Sequence, residues 1–374
     1  MHQHFVKRHR GPLHNIMHTL QVPPDKIETI ATVRREPTWA SSISSQIAAS
    51  KDLAKQAELC NEADIKVYSD GSGFEGGIGA AAILYRGFHR PKSLSYHLGP
   101  IFEHTVFEGE CVGILLAMEL IRRENDVGST SLGVDNQAAI ETLMSNAPMP
   151  SHYIVDQIHD AYRGLKLRHA RIALCVNWVP GHRGIPGSEI VDGLAKRAAG
   201  GYSSPAPSLP VFLRKSLPAS KSALKQAYAQ HTKKLAIRMF RKSPRFAKIS
   251  LIDASLPSSK YRRMASRLPR RHASLLFQLR CGHVPLNKYL HRIKRVDSPT
   301  CSACNQYEET ISHFLLHCPA YSVPRLQMRN ALSGGALTIA RLLSQKSLPH
   351  LFQFIQATAR FSDILGDLTL APHA

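Results

Sequence analysis

Acidic residues all but vanish from the second half of this 374-residue chain. Residues 201–374 hold 6 Asp/Glu against 27 Lys/Arg, and segment 214–295 sets the single Asp253 against 22 basic side chains. The first 65 residues carry 8 basic against 7 acidic groups and residues 66–200 carry 13 against 14, so the net charge of +21 sits beyond residue 200. Charge of one sign at that density excludes an ordinary solvated face of mixed charge. It points to a polyanionic partner, nucleic acid first. Long apolar runs are missing too. The densest, Gly113–Ile121, is half of the roughly 18 residues a membrane helix needs, so no membrane partner is expected. No apolar stretch follows the basic start MHQHFVKRHRGPLH, so no secretory signal is visible and an intracellular chain, nuclear or cytoplasmic, is the expectation. Cysteines number seven, and three of them fall within 301–318. That fits a reduced protein with one metal site better than a disulfide framework.

What is present is enough to fold. Apolar residues make up 43% of the chain, and its length allows about two domains of roughly 100–200 residues. Residues 1–64 are short amphipathic pieces broken by Pro12, Pro23, Pro24 and Pro37, and read as a tether or domain remnant with a helix over 41–59. His2, His4, His9, His14 and His18 have no Cys or acidic partner at ligand spacing and read as a basic tail. From residue 65 the pattern sharpens. Ile65-Lys66-Val67-Tyr68-Ser69-Asp70 alternates as a strand and meets a turn at Gly71-Ser72-Gly73. Strands over 77–86 and 93–98, a helix over 104–124, a strand over 131–135, helices over 136–145 and 151–167, a strand over 172–179 and a helix over 188–199 follow. This order predicts an α/β domain over 65–200: a mixed five-stranded sheet with helices on both faces. Residues 201–220, rich in Gly, Ser and Pro, read as a linker. A basic helical region (221–298), a Cys/His segment (299–325) and a weakly amphipathic tail (326–374) complete the chain.

Four carboxylates of the α/β segment occupy telling places. Asp70 and Asp135 close separate strands, and strand ends along one sheet edge lie side by side. In the helix over 104–124, Glu110 shares its phase with Ile114, Ala117 and Ile121, the apolar stripe, whereas Glu108 aligns with Glu119 and Arg122 on what reads as a solvated side. An acid heading a buried stripe needs a partner or a metal, which selects Glu110. Asp192 follows His182 by ten residues, after the loop V-P-G-H-R-G-I-P-G. Taken singly, a strand-end Asp is more often a turn cap, and a lone Glu near a helix start is favoured by the dipole. Taken together, converging carboxylates repel unless cations neutralise them, and hard oxygen donors favour Mg²⁺ or Mn²⁺. Two such ions about 3.5–4 Å apart can activate a water and stabilise the leaving oxygen of a phosphodiester.

Residues 65–200 resemble a type 1 ribonuclease H domain. Y-S-D-G-S-G resembles the first-strand Asp motif, E-G-E-C-V-G-I-L-L-A-M-E the helical Glu, V-D-N-Q-A-A the third acid, and W-V-P-G-H-R-G…D-G-L-A-K the histidine loop and final Asp. The resemblance implies a ribonuclease H-like fold and cleavage of the RNA strand of RNA–DNA hybrids. It makes Asp70, Glu110, Asp135 and Asp192 the metal ligands and His182 a helper in proton transfer or product release. The phrasing is similar to domains fused behind the reverse transcriptase of non-LTR, LINE-like retrotransposons. No polymerase lies upstream, so the chain reads as the C-terminal piece of such a polyprotein.

Cys301-x2-Cys304-x8-His313-x4-Cys318 is a Cys₃His set suited to tetrahedral, structural Zn²⁺, with His317 a rival ligand. The spacing resembles the knuckle-like C-terminal segment of non-LTR reverse transcriptases. A second class of function remains alongside the nuclease: a non-catalytic nucleic-acid-binding remnant, in which zinc and the basic helices carry the activity.

Overall fold

The computed structural model describes residues 11–32, 43–256 and 258–369. The start of the basic tail, with His2, His4 and His9, and the beginning of the helix expected over 41–59 lie outside the described residues. The chain divides into two compact units, Met1–His231 and Thr232–Ala374.

The first unit runs α1 (Pro12–Leu20), β1 (Ser44–Gln46), α2 (Lys51–Leu59), β2 (Ile65–Phe74), β3 (Gly77–Arg86), β4 (Lys92–Pro100), α3 (Val106–Arg122), β5 (Ser129–Val134), α4 (Gln137–Leu143), α5 (His152–Arg168), β6 (Ala173–Trp178) and α6 (Pro186–Ala199). The division falls within α7 (Lys221–Arg241). Five strands are expected from the sequence; among the described residues the sheet has six, in the order β1-β6-β5-β2-β3-β4. β2, β3 and β4 form an antiparallel meander, while β2, β5, β6 and β1 run parallel. The extra strand is the polar Ser-Ser-Gln of β1, which pairs Ser44 with Cys175 and Gln46 with Asn177. Its three side chains are polar and mostly exposed, with buried Ile43 just before them, so side-chain alternation could not announce it. Part of segment 1–64 is thus a sheet edge, and α2 begins only where Ser50 accepts from the Leu53 N–H.

Helices cover both faces, as expected. Val67 and Leu132 pack with Ile114, Leu116 and Ile121 of α3 on one side. Tyr68 and Ile83 pack with Val191 and Ala195 of α6 on the other. Successive strand residues pointing to opposite faces produce this split. The segment 201–220 is no free linker. Leu209, Leu213 and Leu217 are buried in the α3-side core, and the hydroxyls of Ser203 and Ser204 accept from the His97 and Ser95 N–H groups of β4. Pro205 and Pro210 each lead into a 3-10 turn, Ala206–Ser208 and Val211–Arg214, and every fourth residue from Leu209 docks. Buried Glu28 accepts from the Ser151 and Lys221 N–H groups at 2.7 Å each, tying the N-terminal segment to the end of the strap.

The second unit contains α8 (Phe246–Ile252), α9 (Lys260–Ala265), α10 (Arg270–Cys281), α11 (Asn287–Arg292), α12 (Ser322–Ala331), α13 (Ile339–Leu342), α14 (Leu348–Thr358) and α15 (Ser362–Leu365). One core joins Leu275, Leu276 and Leu279 of α10 to Cys301, Phe314 and Cys318 and to Leu351, Phe352 and Phe354 of α14. The basic helices from α8 onward, the cysteine segment and the expected tail therefore form one folded unit, not three. Fully buried Glu309 and half-buried Arg360 clamp it, with both carboxylate oxygens accepting from the guanidinium at 2.7 Å. Among the described residues no helix is long and apolar enough to cross a membrane.

Candidate functional site

Asp70 does not end its strand. β2 continues to Phe74, and the turn comes at Glu75-Gly76, whose φ values are 49° and 84°. Residues 71–73 stay extended because the strand must touch α3 here. A Cβ on Gly71 would lie 2.2 Å from the Glu110 nitrogen and 2.4 Å from the Gly109 carbonyl carbon. Strand and helix meet backbone to backbone, and that contact brings Asp70 beside Glu110. Asp135 follows β5 directly, and because Ser69 pairs with Val134, Asp70 within β2 and Asp135 just past β5 stand side by side on neighbouring parallel strands.

Carboxylate oxygens of Asp70, Glu110 and Asp135 lie within 4.8 Å of one another. Glu110 is buried, and its Oε2 has no hydrogen-bond partner among the described residues. Burial, then the Asp135 and Asp192 charges, push Asp70 up to about 7. Burial, then Asp135 and Asp70, push Glu110 up to about 9, against the Asn136 side chain and the Gly71 N–H. Asp135 is raised by burial and by Asp192, and the charge of His182 opposes this. Such a cluster either holds protons or holds a cation, and its hard oxygen donors and orphaned Oε2 fit a divalent ion.

Glu108, expected on a solvated side, is fully buried. It closes a capping box with Thr105, its Oε2 accepting from the Thr105 N–H at 2.8 Å, and its Oε1 accepts from the Tyr153 hydroxyl. Asp192 stands at the margin of the cluster. It reaches Asp70 and Asp135 electrostatically, yet its Oδ2 accepts from Lys196 Nζ at 2.7 Å, one turn along α6. His182 is exposed, with φ at 56°. Its loop passes close over the acids: a Cβ on Gly181 would lie 2.9 Å from Asp135 Oδ2.

Some contributors escaped the sequence. Asn136 bonds Glu110 and also caps α4 through the Ala139 N–H, and the Trp178 indole N–H donates to the Asp135 carbonyl at 3.0 Å. An open groove beside the acids is lined by Glu110, Asp135, Asn136, Gln137, Trp178 and Lys51. Asn136 is within reach, since V-D-N-Q already reads as a helix opener, and Trp178 opens the W-V-P-G-H-R-G motif without a role of its own there; Lys51 gives no local signal.

In the second unit Cys301, Cys304, His313 and Cys318 present donor atoms within 4.8 Å of one another. Cys301 and Cys318 sulfurs are 3.9 Å apart, and Cys304 Sγ is 3.4 Å from His313 Nε2. The edges of a tetrahedral zinc site are about 3.8 Å for S···S and about 3.6 Å for S···N, from ordinary Zn–S and Zn–N lengths. The donors therefore fit structural Zn²⁺. A π-helical turn over His313–His317 closes with the Cys318 N–H on the His313 carbonyl at 2.7 Å, which turns both residues inward and leaves His317 exposed. Arg325 donates to the Leu315 and Cys318 carbonyls that this turn would otherwise strand. Burial raises the Cys318 thiol to about 11. For Cys304 burial acts the same way but is outweighed by the Gln306 and Tyr307 N–H groups, and that thiol falls below its usual range.

A family model described as zinc-binding in reverse transcriptase matches residues 255–323. No curated protein matches the chain. The matched stretch takes in α9, α10 and α11 together with all four Cys/His donors. The match supports a retrotransposon-type reverse transcriptase protein with a zinc segment.

Proposed function

We propose that the chain is a metal-dependent endoribonuclease that cuts the RNA strand of RNA–DNA hybrids in the service of retrotransposon reverse transcription. The observation that carries this is the cluster of Asp70, Glu110 and Asp135, three carboxylates held within 4.8 Å by elements of a buried core. Bound Mg²⁺ or Mn²⁺ would supply water activation and charge stabilisation for phosphodiester hydrolysis. Asp70, Glu110 and Asp135 would hold it, and Asp192 would complete the set by giving up Lys196. His182, exposed on a loop beside Asp135, is free to carry a proton between the site and solvent. The preference for a hybrid comes from the ribonuclease H motifs and agrees with the reverse-transcriptase match at 255–323. The excess charge beyond residue 200 supplies sequence-independent affinity for nucleic acid, steeply weakened by salt.

One observation favours the second reading, a nucleic-acid-binding remnant: Asp192 is occupied by Lys196. The full chain with Mg²⁺ or Mn²⁺ and a labelled hybrid, with single-stranded RNA as control, separates the two. Cleavage of the hybrid's RNA is expected, with Asp135→Asn losing several orders of magnitude in rate while hybrid binding persists. His182→Ala should retain activity, at a cost of about 10²–10⁴-fold. Hybrid bound but uncut with either ion would leave only the binding reading standing.

A further inference from the structure

Lys51 sits on the wall of the acid groove, although it comes from the segment ahead of the central sheet. Its position is fixed from several sides. β1 is hydrogen-bonded to β6, Ser50 caps α2, and Lys51 is the first residue of that helix. Near one end of α2, Asp52 lies 4.0 Å from Arg183 on the loop that carries His182. Near the other, Glu58 Oε1 accepts from the Tyr68 hydroxyl of β2 at 2.5 Å. Lys51 is exposed and makes no ion pair among the described residues. The cations that hold Asp70 and Asp135 down are Lys196 and His182, not Lys51. Its ammonium is thus not committed to the acids.

A groove lined by Glu110 and Asp135, with Asp70 clustered beside them, repels a phosphate backbone. A fixed cation on the wall opposes that repulsion and favours one position of the strand. We infer that Lys51 binds a phosphodiester of the nucleic acid lying in this groove, as a positioning residue for the strand to be cut. This rests on the proposed nuclease reading and names a residue that would hold its substrate.

The test compares Lys51→Gln, Lys51→Arg and Lys55→Gln in the full chain; Lys55 is on the same helix but does not line the groove. For Lys51→Gln, KM for the hybrid should rise about five- to tenfold with kcat within about twofold, as expected for one charge-assisted contact. With Ca²⁺ in place of Mg²⁺, the slope of log affinity against log salt should shrink by about 0.7–0.9, one phosphate contact. Lys51→Arg should stay near the parent chain, and Lys55→Gln should change neither quantity. Unchanged KM and slope in Lys51→Gln, or an equal loss in Lys51→Arg, would overturn the assignment. A parent chain that cuts no hybrid would sink the nuclease reading alone, because the binding slope still reports on Lys51.

Discussion

Asp70, Glu110 and Asp135 are carried together by a strand, a helix and a second strand, each anchored in the core of the first unit. Cys301, Cys304, His313 and Cys318 come instead from one short stretch whose only regular piece is a five-residue π turn. The two clusters therefore stand in opposite relations to a metal. In the acid cluster the fold forces like charges together, and Asp70 and Glu110 respond by holding their protons to about 7 and 9. A cation there relieves a strain the fold has already imposed. The Cys/His cluster sits against a small aromatic core but has little regular structure of its own, so the ion would supply much of the local order.

The largest effect that can break this contrast is metal removal. The protein should contain one zinc per chain, and either a strong chelator or Cys301→Ser/Cys304→Ser should unfold the second unit. Structural zinc contributes about 10–16 kcal/mol in small peptides, which exceeds or matches the roughly 5–15 kcal/mol of a whole domain. The first unit should survive the same treatment. Trp178, on β6 and packed against the first core, reports that unit through its emission. Hydrogen exchange should collapse across α10 and α14 while Trp emission stays unchanged. A zinc-free chain with protected α10 and α14 would show that the second core needs no ion.

A smaller effect sharpens the point from within the second unit. Glu309 is fully buried against Arg360, and it also accepts from the Asn287 N–H at 2.6 Å. Glu309→Ala leaves the guanidinium without its carboxylate in a largely buried place, a change that costs about 3–5 kcal/mol when a buried pair is broken. Urea denaturation of the zinc-loaded protein should show that loss, with zinc content intact. A loss below about 1 kcal/mol would mean that zinc and the aromatic core hold this region without the clamp.

Much of both clusters was legible in the sequence, for different reasons. The Cys/His donors are local, so their spacing sufficed, and only the π turn was needed to exclude His317. The acids were found through periodicity: two strand-like segments and the phase of Glu110 on the apolar stripe. Phase misjudged Glu108, because a helix's first turn is also shaped by capping, and Thr105 draws that side chain back toward the N-terminus. β1 was hidden because a polar edge strand is defined by the neighbour it bonds to. The strap over 201–220 and the tail beyond 326 were hidden because a few well-spaced leucines and phenylalanines dock onto surfaces built far away in sequence. The Lys196 partner of Asp192 was a visible i,i+4 pair, but nothing in the spacing ranks such a pair against a metal.

The smallest expected effect tests the strain in the acid cluster directly. Asp70 and Glu110 have reference values of 3.8 and 4.5, and their folded values are raised to about 7 and about 9. Between those limits the native state binds more protons than the unfolded chain, so stability must fall as pH rises through the window. The contribution of the protonated acids is whole below about pH 4 and gone above about pH 9. Other carboxylates, such as Glu119 and Glu124, are lowered and act in the opposite sense, so the comparison must be made against a variant that alters this cluster alone. Glu110→Gln keeps the shape and removes one charge. Without divalent ions, its Tm should exceed that of the parent chain at about pH 8 and match it near about pH 4, each kcal/mol appearing as roughly 2–4 °C. Adding Mn²⁺ should raise the parent's Tm at about pH 8, where the acids must ionise, and do little near about pH 5, where protons occupy them. In Glu110→Gln the Mn²⁺ gain should largely disappear. A parent chain more stable than the variant at about pH 8 without metal would show that the three carboxylates ionise together at no cost. In that case the fold would impose no strain for a cation to relieve.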